Sequence, residues 1–207
     1  MGKAQDFGTT SNTYQVNRAT VFDTADDHSF QMWIKPVSGS ATMQPVSVRA
    51  TTTTNTVRDL FGIQTVNPSQ VRYFTFATGT TSAYLFFQST DTFTAGSWNY
   101  LYVERNGSNI KTAINSNTPE TGTISSPRTY TTSNARQGAG QNLTGGGPGE
   151  TYGGNIDEMR LRISLLSNNW ITTEYNNQNS PSTFYSVAAV AGSSAAQAAR
   201  RGAVMMM

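Results

Sequence analysis

The stretch WNYLYVERNGSNI, residues 98–110, alternates in character and then breaks at Asn106-Gly107. Trp98, Tyr100 and Tyr102 share one side of an extended chain, and Leu101 and Val103 share the other. That period of two marks a strand, because successive side chains of extended backbone point to opposite faces. Asn-Gly favours a tight type I′ turn, whose two central residues both take positive φ. The segment therefore predicts a strand, a hairpin turn and a returning strand over 110–114.

The same pattern recurs outward from this hairpin. SFQMWIK, residues 29–35, puts Phe30, Met32 and Ile34 on one face. Pro36 ends it, since proline cannot donate to a central ladder. Short strands are predicted over 43–49, 60–64, 71–77 and 84–88, with a loop over 51–56. Residues 115–151 read as loop, with glycine crowded into GAGQNLTGGGPGE. A strand over 155–164 carries Ile156, Met159, Leu161 and Ile163 as apolar anchors, with Arg160 and Arg162 facing outward. Apolar residues at 170, 171 and 175 then suit one short helix, and Ser167 suits its N-cap because its hydroxyl can accept an unpaired amide. Many short strands, glycine turns and one short helix near the C-terminal end predict an all-β fold: a two-sheet antiparallel jelly-roll sandwich.

Composition agrees and excludes several classes. The chain has 207 residues, a size at which all-β sandwiches stay single domains. Aromatics at 11% argue against disorder. A net charge of +2 does not supply the clustered basic face that nucleic-acid binding needs. There is no cysteine and one histidine, so disulfides, thiolate zinc sites and a Ser-His-Asp triad are not expected. No apolar run approaches the roughly eighteen residues of a membrane span. The start, MGKAQDFGTTSNTY, lacks a signal-peptide apolar core.

Three stretches carry a family resemblance: HSFQMWIKP, FTAGSWNYLYVERNGSNIKTAINSN and GGNIDEMRLRISLLSNNWITTEYNNQNSP. Together they resemble the laminin-G-like, concanavalin A-like jelly rolls of the lectin and glucanase group. The resemblance spans residues 20–187, leaving 1–19 as an N-terminal arm and 188–207 as an Ala-rich, Met-ended tail. It implies the sandwich fold, and it implies that Asp157 is structural, its carboxylate accepting donors near a sheet end. Family members often carry glycine where this chain has Ser116.

Asp157-Glu158 is the obvious candidate catalytic pair. Adjacent strand residues face opposite ways, so the two do not converge on one substrate. Retaining glycosidases need carboxyls about 5 Å apart, and inverting ones about 6.5–9.5 Å. Related glucanases meet this with Glu-x-Asp-x-x-Glu, but here residue 155 is Asn and residue 160 is Arg. No catalytic residue is expected, and the chain is read as a non-enzyme.

Other candidates are weighed in the same way. Tyr130, Asn142 and Tyr152 sit in loop-like sequence, where an aromatic face stacks on sugar C–H groups and an amide bonds hydroxyls; burial over loop apolar surface is the plainer alternative. Asp23, Asp26 and Asp27 form a weak calcium candidate, since that ion takes about six to eight oxygen ligands. A solvated turn is preferred for them, and no cofactor is expected. His28 is read as a turn residue. Trp33 and Trp98 are expected in the sandwich core. The tail, with Val204, Met205, Met206 and Met207, is read as an assembly element docking on a neighbour.

The leading functional expectation is a non-enzymatic virion-surface protein, a phage decoration, fibre or spike component, assembled in a host cytoplasm. Its partners would be copies of itself or other virion proteins, with weak glycan binding and neither nucleic acid nor a membrane span. The alternative is a secreted carbohydrate-binding or adhesion module acting outside cells. A glycoside hydrolase ranks third.

Overall fold

The computed structural model describes residues 5–6, 14–17, 27–39, 42–51, 57–76, 84–124, 135–139 and 152–181. The strands are β1 (Gln5–Asp6), β2 (Tyr14–Asn17), β3 (His28–Pro36), β4 (Met43–Thr51), β5 (Val57–Val66) and β6 (Gln70–Phe76). They continue as β7 (Tyr84–Thr92), β8 (Asn99–Asn106), β9 (Asn109–Ile114), β10 (Glu120–Thr123), β11 (Ala135–Ala139) and β12 (Gly154–Arg162), before helix α1 (Asn168–Asn179). Two six-stranded antiparallel sheets result, ordered β1-β12-β3-β8-β9-β10 and β2-β11-β4-β5-β6-β7. This is the expected jelly-roll sandwich with one short helix.

The inward faces follow from the alternation. Phe30, Met32 and Ile34 of β3 meet Leu101 and Val103 of β8, Ile110 and Ile114 of β9, and Val71 and Tyr73 of β6 in one buried cluster. Tyr152 and Ile156 belong to the same cluster. Burying side chains of this size contributes about 1.5–3 kcal/mol each, so this layer holds the sheets together.

The other face of the first sheet lies under α1. Ser167 caps the helix as expected, its hydroxyl accepting from Trp170 N. The helix runs four residues past Tyr175, the last apolar position of the predicted pattern. Ile171 and Tyr175 pack with Trp33, Tyr100, Tyr102 and Ala113. Trp33 stacks on Tyr175 with ring centroids 5.9 Å apart and donates to Gln178 Oε1. It therefore serves the helix layer, where the sequence reading put it in the sandwich core. Trp98 departs further from that reading. It stands 41% exposed, because the chain is still turning and the strand starts at Asn99.

Several local expectations change for identifiable reasons. Asn106 pairs with Asn109, so the hairpin turns on Gly107-Ser108. Gly107 takes φ +58 and Ser108 is not among the positive-φ residues, which is the pattern of a type II′ turn with glycine first. Asp27 Oδ1 accepts from Gly107 N at 3.0 Å, and Arg105 Nε donates to Gly107 O at 2.9 Å, pinning the turn. Asn115 supplies φ +57 at the next turn, so glycine at 116 is not needed. Residues 115–151 contain two strands, β10 and β11, where loop was expected. The N-terminal stretch read as an arm contributes β1 to one sheet and β2 to the other. His28 opens β3 and is buried, with Nε2 3.3 Å from Tyr73 Oη across the sandwich, so it is not a turn residue. Ile163 is exposed, since β12 ends at Arg162.

Three of the buried tyrosines make stability sensitive to alkali. Burial pushes the Tyr100 phenol up to about 12, and it raises Tyr102 and Tyr152 as well. The folded state therefore keeps protons that the unfolded chain, with ordinary tyrosines near 10, gives up. Stability from these groups is full below pH ~10 and falls as pH rises through the folded values. The last part of the phenolate absorbance, from the buried tyrosines among the nine in the chain, should appear together with the loss of circular dichroism. Ionisation of all nine in a chain that stays folded would contradict the burial.

Candidate functional site

Asp157 and Glu158 lie in a distorted part of β12. Asp157 pairs with Trp33 and Arg160 with Gln31, so β12 has one residue more than β3 between these points. Glu158 takes φ +51 at this bulge. Alternation fails there, so the opposite-face argument does not apply to Asp157 and Glu158. Their contacts decide instead. Asp157 Oδ1 accepts from Glu158 N at 2.9 Å, and Glu158 Oε2 pairs with Arg160 Nη2 at 2.8 Å. Arg160 and Arg162 also bind Glu174 of α1, at 3.3 and 3.1 Å. Both acids are thus tied into the bulge and the ion-pair group beside the helix.

The loop candidates fare differently. Tyr152 is buried in the inter-sheet cluster and donates to Asn155 O at 3.1 Å, so it is not an exposed sugar platform. Its apolar ring fills the core while its hydroxyl finds a carbonyl. Tyr130, Asn142, Asp23, Asp26 and the tail residues Val204, Met205, Met206 and Met207 lie outside the described residues. Among the described residues, no group of three or more His, Asp or Glu could hold a metal ion. No described helix is long and apolar enough to cross a membrane.

An ordered polar and aromatic patch occurs elsewhere, on the outer face of β6 and β7. In QVRYFTF, Val71 and Tyr73 turn inward, which puts Arg72 and Phe74 on the other face, where Phe74 is itself buried and Arg72 is half-buried. In YLFFQSTDT, Phe87 packs inward, leaving Phe86 and Gln88 outward. Registry pairs Arg72 with Gln88 and Phe74 with Phe86. The Arg72 guanidinium lies over the Phe86 ring, 4.3 Å from its centroid. Its Nε and Nη2 donate to Gln88 Oε1 at 3.2 and 2.7 Å. Gln88 Nε2 donates to Gln70 Oε1 at 2.6 Å, and Gln70 Nε2 donates to Ser89 O at 2.7 Å. Phe86 remains 48% exposed.

Strand irregularity helps to set this patch. Between Gln70↔Thr92 and Arg72↔Gln88, β7 holds two residues more than β6. Ser89 Oγ accepts from Val71 N at 3.0 Å there. Glu120 of β10 accepts from Thr90 N and Asp91 N at 2.7 and 2.6 Å. Side chains thus satisfy amides where the ladder slips. The result is an exposed ring, a cation and two amides whose positions are fixed by one another. A flat apolar face flanked by oriented polar groups is suited to a ring-shaped polar ligand. Sequence reading missed this patch because the 72↔88 registry is set by pairing, although the outward alternation of Arg72, Phe86 and Gln88 was present to be read.

Comparison with known proteins places the fold. The sequence model described as the concanavalin A-like lectin/glucanases superfamily matches residues 7–172. The chain belongs to that superfamily. No curated protein sequence matches it. Among solved structures of similar fold is the Ruminococcus gnavus IT-sialidase CBM40 bound to alpha2,3 sialyllactose. It has a TM-score of 0.59 and 16% identity, covering 74% of this chain and 84% of that one. A native heptameric SAP-like pentraxin from Limulus polyphemus gives 0.58 and 13%, covering 81% and 78%. Domain 4 of AbnA, a GH43 extracellular arabinanase from Geobacillus stearothermophilus, in complex with arabinotriose, gives 0.52 and 17%, covering 73% and 67%. At these identities the likeness is one of fold. The superfamily match begins at residue 7, so it includes β2, within the stretch read as an arm.

Proposed function

We propose that this superfamily member is a non-catalytic glycan-binding module and that the β6–β7 patch is its binding face. The observation that carries the reading is the exposed Phe86 ring held beneath Arg72 and beside Gln88. Arg72 covers one face of the Phe86 ring, so the part left open is what a sugar's C–H surface can pack on, while the fixed amides and the guanidinium bond its hydroxyls. Two of the solved relatives are described with bound oligosaccharides, sialyllactose and arabinotriose, which supports the same use here. The non-catalytic part of the reading is supported by Asp157 and Glu158, both engaged within the bulge.

A glycan array followed by titration of the best hit tests this. Phe86→Ala should weaken that hit about tenfold or more, as loss of a central aromatic contact does. The thermal midpoint should hardly move, since Phe86 faces outward, and the glycan should be recovered uncut. Unchanged affinity in Phe86→Ala would remove the patch from consideration, and released reducing ends would overturn the non-catalytic reading. The virion-surface role stays a second proposal. It rests on the Ala-rich, Met-containing composition of residues 188–207.

A further inference from the structure

We propose that the β6–β7 face selects glycans bearing a negative charge, and that Arg72 is the residue that reads it. This rests on the glycan-binding reading above and specifies its ligand class. The argument is a count of hydrogen-bonding capacity. A guanidinium carries five N–H donors and no acceptor. In this structure Nε and Nη2 each place one on Gln88 Oε1. That leaves about three donors, including both on Nη1, for a ligand.

Most of the acceptor capacity of the patch is already used, with one site left on Gln70 Oε1. Gln88 Oε1 receives both Arg72 bonds, and Gln70 Oε1 receives Gln88 Nε2. What the patch offers is therefore mostly donors, and what it lacks is an acceptor-rich partner. Neutral sugar hydroxyls both donate and accept, whereas a carboxylate or sulfate only accepts. Arg72 also forms no ion pair among the described residues, where the salt-bridged cations are Lys111, Arg160 and Arg162. The nearby Glu120 carboxylate is turned to Thr90 N and Asp91 N. The ring of Phe86 and the amide of Gln88 hold the guanidinium plane, so little ordering remains to be done when a planar carboxylate or a sulfate arrives.

The test uses the full chain and matched probes. One pair is a hyaluronan tetrasaccharide and its methyl ester, which removes the carboxylate charge. The other is a carrageenan oligosaccharide and its desulfated form. Affinity is read by titration calorimetry at low and high salt. The charged member of at least one pair should bind about tenfold tighter than its uncharged partner, and the ratio should shrink as salt rises. Whichever pair shows the ratio assigns carboxylate or sulfate. Arg72→Gln should abolish the ratio while leaving the thermal midpoint in place. Arg72→Lys should keep part of it, since charge survives and the fork does not. Equal affinity for charged and uncharged partners, or an unchanged ratio in Arg72→Gln, overturns the inference while the glycan-binding reading stands. No binding to any of these sugars, with an empty glycan array as well, overturns both.

Discussion

Gly154→Ala is expected to lower stability by about 3–5 kcal/mol, through backbone strain and collision together. Gly154 sits at φ +134, where residues with a side chain are strained. An added Cβ would lie 2.1 Å from Lys35 O and 3.1 Å from Pro36 Cα, both in the backbone of the neighbouring strand. Neither can rotate away as a side-chain tip could. Relief requires β12 to move off β3, and that pairing places Ile156 against the core. For a chain of this length the thermal midpoint should fall by about 10 °C. Gly96→Ala is the control. It also has positive φ, +74, but nothing lies within 4 Å of its added Cβ, so about 1 kcal/mol of strain should be its whole cost. If the two variants melt together, the close approach to Lys35 does not constrain the fold.

Lys111→Met is expected to cost about 2–3 kcal/mol. Glu104 and Lys111 face each other across the β8–β9 pair, and Lys111 Nζ is 3.2 Å from Glu104 Oε1. The Glu104 side chain is 6% exposed and also accepts from Tyr102 Oη. Removing the ammonium strands a carboxylate away from water, which costs about 3–5 kcal/mol where burial is complete. Lys111 is 20% exposed, so water partly compensates and the expected figure is lower. The Leu166 carbonyl loses a donor as well. Glu104→Gln combined with Lys111→Met should recover part of the loss, because no charge is left behind. Chemical denaturation of the two single variants and the double variant measures this. A double variant as unstable as the sum of the singles would show that the pair does not act as a unit.

Much of the sandwich was legible because its core strands alternate cleanly. Phe30, Met32 and Ile34, and Leu101 and Val103 against Tyr100 and Tyr102, lie on the faces their spacing indicates. Even the β12 bulge left a trace. The anchors change parity between Ile156 and Met159, which an unbroken strand would not allow, and the extra residue at Asp157–Arg160 accounts for it. Other elements had no such trace. Glu-Thr-Gly-Thr of β10 carries no apolar alternation, because an edge strand buries little. Trp98 looked like a core residue by spacing, yet Asn99 bonds Thr94 and Ser97 and keeps Trp98 in the preceding turn. The candidate site depended on distance in sequence. Arg72, Phe86 and Gln88 become neighbours only through cross-strand registry, which local pattern does not encode.

Glu120 has a further consequence. β7 and β10 are the outermost strands of their sheets on the same side of the sandwich. The Glu120 carboxylate reaches from one to the other and occupies the amides of Thr90 and Asp91. Free amides on such a border act as a template onto which another extended chain can zip. Filling them with a charged side chain makes that stretch a poor starting point for strand-to-strand polymerisation. Many copies could then crowd together at high local concentration without seeding fibrils along this seam.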